Sequence, residues 1–262
     1  MAEAEELLKK AQQAYKQKNY GGALSFYKRI LEQDPEDEQA LSGIGRVYYR
    51  NRDFDNAIQN LKTAIELGAD DAATYYALGL ALEEKGLLEE AADNYELALT
   101  ANPNSTRIRH NLGRILIELD CYEEAAINYS EILEKNPQDN EARIQRGNAL
   151  LLANRFEDAE VDFRDALEAN PRDARALNGL GIALENQERI EEALDSYKNA
   201  LRLDPENETL KKTIEKAAKE LRKRESGVVK GTGKGISIEE KAAQIEKEIE
   251  RRNNEIERKM RW

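Results

Sequence analysis

The sequence predicts an all-α solenoid built from stacked helical hairpins, and three observations lead there. Ala, Leu, Glu, Lys and Arg dominate the chain, 35% of it is charged, and only 6% is aromatic. That composition favours helix over strand. Small and aromatic residues return at one fixed interval. Gly45, Gly79, Gly113, Gly147 and Gly181 are spaced by 34, as are Ala23, Ala57, Ala91, Ala125, Ala159 and Ala193. Tyr27, Leu61, Tyr95, Tyr129, Phe163 and Tyr197 keep the same phase, and Pro35, Pro103, Pro137, Pro171 and Pro205 occupy one slot of it. A fixed period of this length is the mark of a repeat architecture.

One unit, Leu78–Pro103, carries the physical logic of all of them. Its first half, to Glu84, has apolar residues at helical spacing. Gly86 suits the left-handed conformation that follows a last helical turn. The stretch "LEEAADNYELAL" is helical again, and "NP" ends it, because proline lacks the N–H and clashes with the preceding turn. Gly79 and Ala91 are small where two antiparallel helices approach, and Tyr95 is expected to fill the space between units. One hairpin cannot bury its apolar face alone, so the units must stack.

The slots Leu112, Gly113, Tyr122, Ala125, Tyr129, Ile132 and Pro137 resemble the tetratricopeptide repeat family. The resemblance covers six repeats, residues 4–207, and implies a right-handed superhelical solenoid. In order, the first repeat departs by placing Ala11 where glycine is usual. The second ends "LGADD" without proline. The fifth carries Arg146 in a leucine slot, which unsettles its local packing.

Residues 208–225 begin like a seventh first helix, with Glu215 in the glycine slot, and their lysines and arginines suit the polar cap that solenoids need. Residues 226–236 are glycine-rich and read as a flexible linker. Their "GTGKG" fails as a phosphate loop: the upstream glycine, the Ser or Thr and the preceding strand are all missing. Residues 237–262 form a charged helix with a narrow apolar stripe at Ile238, Ala242, Ile245, Ile249 and Ile256, and with Met260 and Trp262 at its end. The pattern approaches a coiled coil. An isolated helix of this length is marginal in water. The stripe is expected to make a second contact, with another copy, another protein or its own repeat array; the alternative is a solvated, frayed tail.

The resemblance implies that the first helix of each repeat lines a concave groove. Counting in steps of 34 from Ala4, it places Arg46 and Tyr49, then Tyr76 and Leu80, on that wall. Arg107, His110, Asn111 and Arg114 follow from the fourth repeat, Ile144, Gln145 and Asn148 from the fifth, and Arg175, Asn178 and Ile182 from the sixth. Arg109 falls in a slot facing the preceding repeat, and its expected role is local, as is that of Arg143 one repeat later. Arginine suits a carboxylate because its planar fork makes two parallel hydrogen bonds. Side-chain amides both donate and accept, which suits an extended backbone. The partner expected in the groove is a protein segment with acidic and apolar residues. The family's two-carboxylate clamp needs Lys, Asn, Asn, Lys and Arg; the corresponding slots read Tyr76, Leu80, Asn111, Glu141 and Gln145, so that tail-binding mode is not expected.

Several functions are expected to be absent. The net charge of −12 argues against bulk electrostatic binding of nucleic acid. No apolar run approaches the roughly 18 residues of a membrane span. The start "MAEAEELLKK" lacks the apolar core of a signal peptide, and one cysteine, Cys121, makes no internal disulfide, so a cytoplasmic location is expected. A single histidine is a poor basis for catalysis or a histidine metal site. Acidic turns such as "DPEDE" read as helix starts rather than calcium loops. No cofactor, no metal and no enzymatic activity are expected. The chain reads as an adaptor; a self-assembling structural protein and an autoinhibited adaptor are the alternatives.

Overall fold

The computed structural model describes residues 2–228. The expected terminal helix, with Ile238, Ala242, Ile245, Ile249, Ile256, Met260 and Trp262, lies outside them, as does the glycine-rich stretch beyond Val228. Among the described residues there are thirteen helices and no strand. None of these helices is long and apolar enough to cross a membrane.

A first unit, ending at Ala169, contains five hairpins. They pair α1 (Ala2–Lys16) with α2 (Tyr20–Gln33), α3 (Glu38–Arg50) with α4 (Phe54–Glu66), and α5 (Ala72–Glu84) with α6 (Leu88–Ala101). Then come α7 (Thr106–Glu118) with α8 (Tyr122–Lys135), and α9 (Asn140–Leu152) with α10 (Phe156–Ala169). Within this unit α2, α4, α6 and α8 also pack on the first helix that follows, and α3 touches both α1 and α5. First helices therefore form one layer and second helices the other. A second unit, from Asn170, holds α11 (Ala174–Asn186), α12 (Ile190–Leu203) and α13 (Glu208–Val228). There α13 lays Ala217, Ile214 and Leu221 against Ile190 and Leu194 of α12.

The same residue slot starts every first helix after α1. Asp37, Asp71, Ser105, Asp139, Asp173 and Asn207 each accept a backbone N–H from three residues on. These are N-caps, which satisfy donors that the first turn leaves without a partner. The acidic turns of the sequence are thus helix starts. The turn inside each hairpin is equally regular. Lys18, Arg52, Gly86, Asp120, Asn154 and Glu188, again 34 apart, all have φ between 59° and 73°. Only one of them is glycine. The other five hold a left-handed conformation that costs an L-residue roughly 1–2 kcal/mol.

The interior follows the glycine and alanine phase. Ala23, Ala57, Ala91, Ala125, Ala159 and Ala193 are all 0% exposed. A methyl group added to Gly79, Gly113, Gly147 or Gly181 would lie within 2.4–2.9 Å of the aromatic ring opposite it, Tyr95, Tyr129, Phe163 or Tyr197. Each ring thus sits inside its own hairpin, where the missing side chain makes room. Tyr95, expected between units, lies in this intra-hairpin place. Arg146, the residue out of pattern in the fifth repeat, keeps its slot by bonding. Its Nε donates to Asp162 Oδ2 at 2.8 Å and its Nη1 to Ser130 Oγ at 3.1 Å. Asp162 is 1% exposed, so a buried carboxylate is held here by a half-buried guanidinium.

Candidate functional site

Within the first unit the predicted wall residues lie along α3, α5, α7 and α9, and most are already engaged by neighbours. On α3, the Arg46 guanidinium lies 4.8 Å from the Tyr15 ring centroid, and Tyr49 tilts against Phe54 at 6.0 Å. Beside Arg46 opens a polar cleft of about 280 Å³, lined by Gln12, Gln39, Ser42, Gly43 and Asp71. Its floor is Tyr27, whose ring would collide with any side chain at Gly43. Ser42 shares a 2.6 Å hydrogen bond with buried Thr74, whose hydroxyl in turn donates to Asp71, so the cleft's far edge is fixed.

The centre of the wall is Tyr76 on α5. Arg107 of α7 stacks on its ring, 4.6 Å from the centroid, and Asn111 Nδ2 donates to its hydroxyl at 3.1 Å. Burial pushes the Tyr76 phenol up, against the opposing field of Arg107. A cation over an aromatic face is held by the ring quadrupole. Behind it, Tyr95 lies 5.7 Å from Tyr76 and donates to Glu83 Oε2 at 2.7 Å. Glu83 Oε1 receives Arg114, which also bonds Glu118 at 2.8 Å. Arg114 thus sits between two carboxylates of its own chain. Arg107 differs: it is exposed, and among the described residues no carboxylate lies within ion-pair distance of it.

The remaining predicted residues divide. His110 sets its ring edge against Tyr129 at 5.8 Å, and its Nε2 is 3.6 Å from the N-cap Asp139. Leu80 is half-buried beside Tyr76's turn of α5, and Asn148 is half-buried on α9. Gln145 donates to Glu141 at 2.8 Å. Ile144 is 1% exposed and belongs to the interior, so it offers no surface to a ligand. In the second unit, Asn178 and Ile182 are half-buried on α11, while Arg175 turns back to Asp173, the N-cap of its own helix. Arg109 lies off the wall, donating to the Pro103 carbonyl at 3.0 Å and pairing with Glu131 at 2.6 Å. Arg143 repeats the arrangement with the Pro137 carbonyl and Asp165.

Counting in steps of 34 reaches Glu83 as a groove slot of the third repeat, but sequence reasoning missed the part that Glu83 and Tyr95 play in organising the wall. One signal was available: the same pair recurs as Glu185 and Tyr197, again twelve residues apart, with the same 2.7 Å bond. Tyr15, the platform for Arg46, stands 34 residues before Tyr49 in the same slot of the first repeat, so the count in steps of 34 could have found it. Among the described residues no group of three or more His, Cys, Asp or Glu is arranged to hold a metal ion.

Comparison with known proteins agrees with this architecture. Two models, both described as tetratricopeptide repeat, match the chain, one at residues 42–106 and 144–208 and the other at 82–148. No curated protein matches. Among solved structures, the chain is similar to YrrB, titled a TPR protein with an unusual peptide-binding site. Identity is 25%, coverage is 72% of this chain and 97% of that one, and the TM-score is 0.66. It also shares its fold with MamA MSR-1 C2, at 23% identity, 64% and 97% coverage and a TM-score of 0.57. MamA 41-end from Desulfovibrio magneticus RS-1 gives 18% identity, 66% and 98% coverage and a TM-score of 0.58. With the models spanning residues 42–208 and helices paired as the 34-residue period requires, the chain belongs to the tetratricopeptide repeat family.

Proposed function

We propose that this protein is a non-enzymatic interaction scaffold of the cytoplasm, which holds an extended segment of a partner along the layer of first helices. Support comes from the fold and from YrrB, whose title names a peptide-binding site. The observation that carries the specific reading is Arg107. It is exposed, fixed over Tyr76 and, among the described residues, without a carboxylate partner, whereas Arg114 is already neutralised by Glu83 and Glu118. A pre-positioned guanidinium loses little freedom on binding a carboxylate. Tyr49 and Leu80, on the helices before it, supply apolar contact, and the cleft beside Arg46 accepts a polar side chain. The partner segment is acidic and apolar, its acid meeting Arg107. The terminal residues 237–262 make a second contact.

The test is a peptide array probed with the purified chain and with Arg107→Glu. The reading expects enrichment of peptides combining Asp or Glu with apolar residues, and loss of that enrichment in the variant with helicity unchanged. An array that selects no acidic residue, or a variant that selects the same peptides, overturns it. Arg114→Glu is expected to act more weakly than Arg107→Glu, since Arg114 already has two carboxylates.

A further inference from the structure

The two helix layers of the first unit differ sharply in charge. In α6, α8 and α10, acidic side chains outnumber basic ones by four, three and five, giving −12 of the −14 that the unit carries. The facing first helices α5, α7 and α9 together come to +1. The acidic layer also exposes apolar side chains away from the helix ends: Leu97 on α6, Ile127 on α8 and Val161 on α10, at 46%, 62% and 57%. Ile127 and Val161 are 34 residues apart and so occupy the same position on successive second helices. Each follows a glutamate by one helical turn, Glu123 and Glu157. Other repeats place Gln59, Asp93 and Asp195 in this slot, so an apolar residue here is not a requirement of the hairpin.

An exposed apolar pair inside an acidic frame fits a segment with the opposite pattern, apolar residues flanked by Lys and Arg. The chain contains one such segment outside the described residues. Residues 251–262, "RRNNEIERKMRW", hold five basic and two acidic residues, with Ile256 and Met260 four apart and Trp262 at the end. We propose that residues 251–262 of a second copy of this chain dock on the acidic face of α8 and α10, over Ile127 and Val161. The inference rests on reading the terminal residues as a second contact, but not on the groove. A single twelve-residue segment covers too little surface for a stable complex, since standard interfaces bury about 800 Å² per partner. Reciprocal exchange doubles the contact and closes the pair as a two-fold dimer. Tryptophan and arginine are the residue types that anchor such surfaces.

The experiment uses the full chain, with molar mass measured by light scattering over a concentration series. The expected result is a monomer–dimer equilibrium. Ile127→Asp with Val161→Asp weakens it about tenfold or more, as does Arg258→Glu with Arg261→Glu. Adding Glu123→Lys and Glu157→Lys to the latter pair restores dimer, which a mere loss of folding would not allow. Arg107→Glu leaves the dimer intact, so failure of the groove reading is separately visible. A chain that stays monomeric throughout overturns the proposal. So does a dimer indifferent to Ile127 and Val161, or a charge swap that restores nothing.

Discussion

Tyr95 donates to one oxygen of Glu83 at 2.7 Å while Arg114 holds the other, so a buried phenol and a surface guanidinium share one carboxylate. The phenol ties α6 to α5 and the guanidinium ties α7 to α5. One side chain thus joins the interior of a hairpin to the proposed binding wall of the next.

Alkaline pH is expected to unfold the chain through its buried tyrosines, which ionise after the exposed ones. Burial pushes Tyr129 up to about 12, and burial with the bond to Glu83 pushes Tyr95 further still; Tyr197 is raised likewise beside Glu185. The folded chain holds these protons more tightly than the unfolded chain, where tyrosine ionises near 10. Their contribution to stability is therefore complete below pH about 10 and is lost as pH rises through that window. Phenolate absorbance followed with circular dichroism should show some of the eleven tyrosines ionising late, together with loss of helix. If all ionise near pH 10 with helicity intact, the burial argument fails.

Gly113→Ala is expected to cost about 1–3 kcal/mol by overpacking. A methyl group there would stand 2.6 Å from the Tyr129 ring. Adding Tyr129→Leu should recover part of the loss by making room. Urea denaturation gives both values, and a neutral Gly113→Ala would contradict the packing described.

Arg146→Leu is expected to destabilise the chain by about 3 kcal/mol, because it strands Asp162 in the interior without its cation. The double change Arg146→Leu with Asp162→Asn installs the pair found one repeat earlier, Leu112 and Asn128, and should restore most of the stability. Equal losses in the single and double variants would show that the ion pair is not what holds the slot.

Two capping and turn positions are open to improvement. Cys121 starts α8 without a side-chain cap, its thiol directed at the Leu119 carbonyl at 3.6 Å. Cys121→Asp should stabilise by about 0.5–1 kcal/mol, as Asp53 does in the same slot of the second repeat. Lys18→Gly should add about 1 kcal/mol, since glycine relieves the left-handed strain at φ 60°. Melting temperatures lower than those of the unaltered chain would refute either assignment.

The helical layers were legible in the sequence because a buried helix pair demands small and large residues at a fixed spacing. The alanine row and the glycine–aromatic pairs followed directly. The left-handed turn was legible at Gly86 and hinted at by Asp120 and Asn154, whose types tolerate it, while Lys18, Arg52 and Glu188 carry no mark of their backbone conformation. The wall could be counted, but counting gives direction and not company. It placed Arg114 and Arg107 alike, while Glu83 and Tyr76 from the neighbouring repeat decide what each one does. Ile144 shows the other limit: the slot that leaves Tyr76, His110 and Asn178 half-buried holds Ile144 in the interior at 1% exposure.

Among the described residues, every left-handed corner inside a hairpin falls at the same place in its period, whichever residue occupies it; Gly68, at φ 112°, turns the chain between two hairpins instead. A segment of one full period, cut at any point and rejoined at the matching point, therefore presents its flanks with the same corner, the same cap and the same ring-and-gap seam. The number of hairpins can change by whole units without a new junction being invented, whereas a gain or loss of a few residues breaks the phase of everything that follows.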